Sequence, residues 1–467
     1  MPTTNVPRMT LREAADAVRA RQLSPVELTR ACLERIERLD PHLNAFITVT
    51  DEAALAAAAR AEAEILAGAW RGPLHGIPIA IKDLFDTAGV RTTAASGVYR
   101  DRVPNEDAEV VRRLNGAGAI SLGKLNMHEF AYGGTSHVSH FGPVRNPWNL
   151  DRIAGGSSGG SSAAVAAGLC YGAMGSDTGG SIRQPSALCG IVGLKPTYGR
   201  VSLRGVIPLS WSLDHAGPMT LTVADAAAFM DALAGYDPAD VASVDAPVPS
   251  YASALDGPTA ALRIGVPRLH FFTDLHPEVE SAVAAAIAFI GSMTASTVDV
   301  ELPRITTLRE ISGPVLTAEA HAYHAEHLAT CPERYDPDTL ERVRRGAAIT
   351  TPAYIHARRE LEAVRRAAPA VFDEVDLLIT PTTPAPAPAL AEVKGDIGIT
   401  TLRNTSPFNA YGLPTISIPC GFSADGLPIG LQITGRPFDE PRVLRLAHAY
   451  EQATPWRHRL PSLIAGA

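Results

Sequence analysis

Two stretches of this 467-residue chain are crowded with glycines and hydroxyls: "RIAGGSSGGSS" (152–162) and "GSDTGGSIRQP" (175–185). Upstream of both, Lys82 stands in the apolar run "GIPIAIKDLFD" (76–86). Burial in such a run disfavours an ammonium and lowers its pKa. A neutral amine beside a hydroxyl is a general base. Lys82, one Ser from the first loop and one from the second could therefore relay protons and activate a hydroxyl nucleophile without any His. The plainer reading of a single Lys is an ion pair with Asp83 or Asp86. Lysine is scarce here: of 41 basic residues only Lys82, Lys124, Lys195 and Lys394 are not Arg. Arg cannot serve as a base, because it does not give up its proton.

The first loop admits other readings. Gly and Ser at this density suggest a flexible linker. A linker is flanked by solvated sequence, however, and this one runs into "SSAAVAAGLCYGAMGSD", dense in small apolar residues. A P-loop needs a Lys after its glycines, and a dinucleotide fingerprint needs a different Gly spacing. Gly155-Gly156-Ser157-Ser158-Gly159 does match G-x-S-x-G, the nucleophile elbow. That elbow needs a strand just before the Ser, where "NPWNLDRIAGG" reads as loop. It also wants a His in a late loop, and His448 falls in the helical pattern "RVLRLAHAYEQA".

The elements that must hold these residues form an α/β pattern. Residues 10–68 read as helical, with Thr10/Glu13 and Ser24/Glu27 as capping signals and Pro25 at a first helical position. "GIPIAIKDLFD", "ISLGKLN", "GLCYGAMGSD", "LRIGVP" and "DLLITPT" read as strands, and "DAEVVRRLNGAGA" as a helix ending at glycines. The alternation predicts an α/β fold around a largely buried mixed sheet. Residues 235–259 read as a loop-rich excursion and the Pro-rich 380–390 as an extended surface loop. His321, His324 and His327 read as a polar helix face rather than a metal site.

Composition excludes several classes. The chain is 46% hydrophobic and 19% charged, enough for a sizeable core. A net charge of −8 argues against a nucleic-acid partner. Five scattered cysteines read as reduced thiols of a cytoplasmic protein, not as a disulfide framework. The first residues show no signal-peptide pattern, and no apolar run is long enough for a membrane span.

Longer stretches carry a resemblance. "GPLHGIPIAIKDLFDTAGVRTTAAS", "GKLNMHEFAYGGTS", "RIAGGSSGGSSAAVAAG", "GSDTGGSIRQPSALCGIVGLKPTYGRVS", "SLDHAGPMT" and "GLPTISIPCGFSADGLPIGLQITG" run in order from about residue 8 to the C-terminus. In these stretches the chain resembles the amidase signature family. The resemblance implies a single amidase domain over 1–467, with one large mixed β-sheet covered by helices on both faces. Its parts would be an N-terminal helical segment (1–68), a signature region with the catalytic residues (72–220), the 235–259 excursion, and the rest of the core and pocket (260–467).

It also implies roles. Lys82, Ser157 and Ser181 fall on the family's Ser–cis-Ser–Lys triad. Ser181 would be acylated, and Ser157, after a cis Gly156–Ser157 bond, would link it to neutral Lys82. The N–H groups of Thr178, Gly179, Gly180 and Ser181 would form the oxyanion hole. Ser158, Asp177 and Arg183 would hold the loops together. Met127, Tyr132, Gly133, Gly134 and Trp211 would bind substrate, with Phe408 and Tyr411 adding aromatic character. The expected activity is hydrolysis of a small amide or carbamate (an anilide, a urethane or an aliphatic amide) by a monomer or homodimer, with no cofactor or metal. The alternative is the glutaminase component, the A subunit, of a glutamine-dependent tRNA amidotransferase. Against it, "TTLRNTSPFNAY" lacks the Asp with which that component binds the glutamine amino group.

Overall fold

The computed structural model describes residues 9–394 and 397–465. The first residues, read above for a signal peptide, and both ends of the expected domain lie outside them. Both capping signals start helices. Glu13 N donates to Thr10 Oγ1 at 3.1 Å, and Thr10 N donates back to the Glu13 carboxylate at 2.7 Å. Ser24 and Glu27 repeat the exchange ahead of Pro25, giving helices Leu11–Arg19 and Pro25–Leu43. The N-terminal segment is not wholly helical, which corrects the expectation for 1–68. Asn44 turns the chain at a left-handed φ of 54°, and "FITV" then forms a strand, β1 (Phe46–Val49).

The remaining strands are β2 (Pro78–Lys82), β3 (Ile120–Leu125), β4 (Arg145–Asn146), β5 (Asn149–Ile153), β6 (Gly172–Ser176), β7 (Val192–Lys195), β8 (Ala216–Thr220), β9 (Arg263–Val266), β10 (Ser296–Asp299), β11 (Leu377–Pro381), β12 (Thr415–Phe422) and β13 (Pro428–Gly435). Eleven of them make one mixed sheet in the order β1-β3-β2-β6-β8-β7-β12-β13-β11-β9-β10, and β4 and β5 pair separately. The fold is the expected α/β architecture.

Register places the chemistry. β2 and β6 are parallel neighbours, with Ile81 opposite Met174. Their last residues, Lys82 and Ser176, therefore emerge side by side at the carboxyl edge of the sheet, where open α/β sheets form crevices. β8 runs antiparallel to β6, so Asp214 and His215, which lead into β8, arrive at the same edge.

The small residues after the first Ser loop form helix Gly159–Ala166, every residue of it buried. A Cβ on Gly160 would lie 2.3 Å from Asn126 O and 2.5 Å from Ala45 O. This close approach to the chain beside β1 and β3 is what the run of small residues permits. Two loop readings are corrected. "NPWNLDRIAGG" contains β4 and β5, so a strand does precede Ser157, although it lies outside the main sheet. The Pro-rich 380–390 is not a surface loop. Thr382, Thr383 and Ala387 are buried, and Ile153 N donates to Pro388 O at 3.1 Å.

Gly160→Ala is expected to destabilise the fold by about 2 kcal/mol or more through overpacking against backbone that cannot yield. Urea unfolding of the two proteins by circular dichroism measures it.

Candidate active site

Lys82 ends β2 with its whole side chain buried. Its Nζ lies 2.8 Å from each of three hydroxyls, those of Ser157, Ser158 and Ser176. Neither neighbouring acid pairs with it. The Asp83 carboxylate accepts from the Thr93 N–H at 2.9 Å and from its hydroxyl, on the opposite side of the strand, as alternation requires. Asp86 forms a bidentate pair with Arg102, both contacts 2.7 Å. The ion-pair reading of Lys82 therefore fails. Burial lowers its pKa to about 7, with the more distant carboxylates of Asp177 and Asp214 pulling the other way. A neutral amine has two N–H groups and one lone pair, so three hydroxyls fill its capacity. One of them must donate to nitrogen.

The first loop is pinned around this amine. The Gly156–Ser157 peptide bond is cis. Gly156 N donates to Gln184 Oε1 at 2.9 Å, and Ser157 O accepts from His128 N at 3.0 Å and from the Ser136 hydroxyl at 3.2 Å. The second loop is joined to it by Ser158 N, which donates to Ser181 O at 3.3 Å.

Asp177 organises the second loop. Its carboxylate accepts from Gly180 N at 2.7 Å and Ile182 N at 3.1 Å. It also receives Arg183 Nε and Nη2, both at 3.0 Å. Burial alone would raise this acid, but the Arg183 guanidinium holds it well below the usual carboxylate range. Arg183 then reaches Thr405 O and Gln432 Oε1 at 2.9 Å and Asn409 Oδ1 at 2.6 Å. The Thr178 hydroxyl donates to Asp214 Oδ1 at 2.5 Å. Burial raises Asp214 to about 6, against the hydrogen bond from Thr178.

This geometry corrects one of the expected oxyanion donors. The Gly180 N–H is already given to Asp177, which removes it from the set. Among the described residues nothing accepts from the N–H groups of Thr178, Gly179 and Ser181. Gly180 is still required to be glycine: at φ +133° a Cβ would fall 1.9 Å from Thr405 Oγ1.

The expected substrate contacts divide. Met127 is fully buried in the main hydrophobic core. Gly133 packs on the His128 imidazole, and Gly134 O accepts from Gln184 Nε2 at 2.9 Å. The carbonyl of Tyr132 accepts from Arg342 at 2.6 Å. Trp211 stays 49% exposed. Phe408 and Tyr411 are core residues instead: Phe408 stacks on Phe271 at 5.3 Å, and the Tyr411 hydroxyl donates to Pro303 O at 2.8 Å. His324 is not on a polar face either. It is buried edge-on to Phe130 at 4.3 Å, next to Tyr335. His448 lies on helix Glu440–Gln452 beside Glu451, so the His that the elbow reading names stands on a helix and not in a late loop.

Sequence reasoning missed Ser176, Asp214, Asn409 and Gln432. Ser176 ends its strand in the second Ser loop, but its place beside Lys82 depends on which strands are neighbours. Asn409 and Gln432 carry no local signal.

A sequence model of the Amidase family matches residues 27–444. An amidase of Pseudomonas putida is 44% identical, covering 99% of each chain. The A subunit of the glutamyl-tRNA(Gln) amidotransferase of Moorella thermoacetica is 43% identical, covering 97% of this chain and 98% of the relative. The crystal structure of a peptide amidase from Stenotrophomonas maltophilia superposes with a TM-score of 0.85 at 33% identity, covering 99% of each chain.

Arg183→Lys keeps the charge but loses the fork that serves Asp177, Thr405, Gln432 and Asn409. It is expected to cost about 1–3 kcal/mol for buried acceptors left unpaired, read from urea unfolding midpoints.

Proposed function

The chain belongs to the amidase family and is an amide-bond hydrolase, and from that premise we propose a free-standing enzyme in which Ser181 is acylated. The observation that carries this is Lys82 buried among three hydroxyls with no carboxylate in contact, its pKa lowered to about 7 by burial. Lys82 takes the Ser157 proton while Ser157 takes the proton of Ser181. Ser181 Oγ attacks the amide carbon, and the N–H groups of Thr178, Gly179 and Ser181 stabilise the oxyanion. The C–N bond breaks as the proton returns through Ser157 to the leaving amine. Water then repeats the sequence on the acyl-enzyme.

The substrate is a small amide or carbamate with an apolar or aromatic group, met by Tyr132 and Trp211. Leu402 supports this. Its Cδ atoms lie 3.0 Å and 2.9 Å from where a Cβ on Gly134 and Gly180 would be, so an aliphatic side chain borders the nucleophile loop. Residues 397–411 contain no acid to receive the ammonium group of glutamine. The second reading, the glutaminase component of a tRNA amidotransferase, rests on the 43% identical Moorella relative.

Three outcomes are expected. Ser181→Ala abolishes turnover in a folded protein, and a fluorophosphonate probe labels Ser181 by peptide mapping; labelling of Ser157 would reverse the roles. With Lys82 near 7, the base form grows as pH rises, so kcat/KM climbs along a limb centred near pH 7 and then levels. Lys82→Ala lowers kcat about 10²–10⁴-fold and removes the limb, and Lys82→Arg does not restore it. The chain alone hydrolyses anilides or carbamates faster than glutamine; glutaminase activity appearing only with partner subunits would establish the second reading.

A further inference from the structure

The turn Leu209–Asp214, buried except at Trp211, is held by hydrogen bonds along its length. Ser210 O accepts from Leu213 N at 3.0 Å and Asp214 N at 2.9 Å. Asp214 Oδ2 accepts from Leu209 N at 2.9 Å and Ser210 N at 3.1 Å. From outside, the Tyr198 hydroxyl donates to Trp211 O at 2.7 Å and Arg365 to Ser212 O at 2.5 Å.

The largest share comes from Glu319, buried on helix Leu308–Thr330. One of its oxygens accepts from the Ser210 hydroxyl at 2.6 Å and Ser212 N at 3.0 Å. The other accepts from the Ser212 hydroxyl and, at 2.8 Å, from that of Tyr354. Four donors meet one carboxylate, an acceptor-only group that can take all four.

Between the two clamped serines, Trp211 occupies the corner of the turn, 49% exposed and edge-on to Tyr323 at 6.3 Å. The far end of the same turn is Asp214, which holds the Thr178 hydroxyl. An immobilised backbone thus carries an aromatic ring open to solvent at one end and grips the oxyanion loop at the other.

We propose that Glu319 is a positioning residue that locks this turn, so that Trp211 and Tyr323 receive the aromatic group of the substrate while Asp214 holds Thr178 at the reacting carbonyl. This rests on the hydrolase reading given above. A Glu319 that only glued the helix to the core would affect all substrates through stability alone.

The test compares an anilide with an N-alkyl amide of the same acyl group, using the full chain. Trp211→Ala is expected to raise KM for the anilide about tenfold and that for the alkyl amide by a smaller factor, so that the ratio of the two changes. Glu319→Ala should raise the anilide KM likewise and lower kcat for both amides. Glu319→Gln, which keeps one carbonyl oxygen for Ser210 and Ser212, should recover much of both. Tyr354→Phe removes a single donor at a partly exposed site, and should shift the anilide KM in the same direction if Glu319→Ala does not fold. A second readout is independent of turnover: acrylamide quenching of Trp211, taken as the difference from Trp211→Phe, should increase in Glu319→Ala or Tyr354→Phe. Unchanged quenching, or an unchanged ratio of anilide to alkyl KM in folded variants, overturns the proposal. If the wild-type chain cleaves neither amide while quenching still rises, the hydrolase reading falls and the locking of the turn stands.

Discussion

The Asp177 carboxylate is fully buried, and an isolated charge there would be untenable. The Arg183 guanidinium, equally buried, makes it possible, and the two charges together impose order on everything near them. Asp177 draws in the N–H groups of Gly180 and Ile182 and so bends 177–183 into a ring around itself. Arg183 fixes the 405–409 segment and Gln432 on β13 against that ring. The backbone around Ser181 is therefore set by a buried ion pair. Its geometry also occupies the Gly180 N–H and, among the described residues, leaves those of Thr178, Gly179 and Ser181 without an acceptor.

Lys82 meets the opposite constraint. It is as buried as Arg183 but has no carboxylate in contact, only hydroxyls. Burial without a counter-ion discharges an amine, whereas burial with one preserves a guanidinium. Two basic side chains at one sheet edge thus meet different surroundings: Arg183 pairs with a carboxylate, and Lys82, among hydroxyls, has its pKa lowered to about 7. Lys124 and Lys195 are also buried, each bonded to backbone carbonyls. The scarcity of lysine on the surface and its concentration in the interior agree with this division, since Arg serves wherever a permanently solvated charge is enough.

The family relationship narrows the chemistry and leaves the substrate open. Relatives at 44% and 43% identity include both an amidase and a component of a tRNA amidotransferase, so overall similarity does not separate them. Separation has to come from the rim of the site. There Leu402 borders Gly134 and Gly180, and the clamped turn presents Trp211. Both are apolar side chains, and the proposed preference for an apolar group rests on them.

The sequence by itself determined the fold class, the helix starts at Thr10 and Ser24, the strand bearing Lys82, and the two Ser loops. Each of these is local: a capping residue, an apolar run or a cluster of small residues acts within a few positions. It could not decide between an ion pair and a free amine at Lys82, because Asp83 points away only once β2 is extended and Asp86 is taken by Arg102. Nor could it place Phe408 and Tyr411 in the core, or His324 in an aromatic cluster, since an aromatic ring reads the same in a pocket wall as in a core. Ser176, Asp214, Asn409, Gln432 and Glu319 became visible only in three dimensions. They come from β6, the lead into β8, a short helix, β13 and a long helix far apart in the chain, and only the assembled sheet brings their polar atoms within hydrogen-bonding distance of the two loops and the turn beside them.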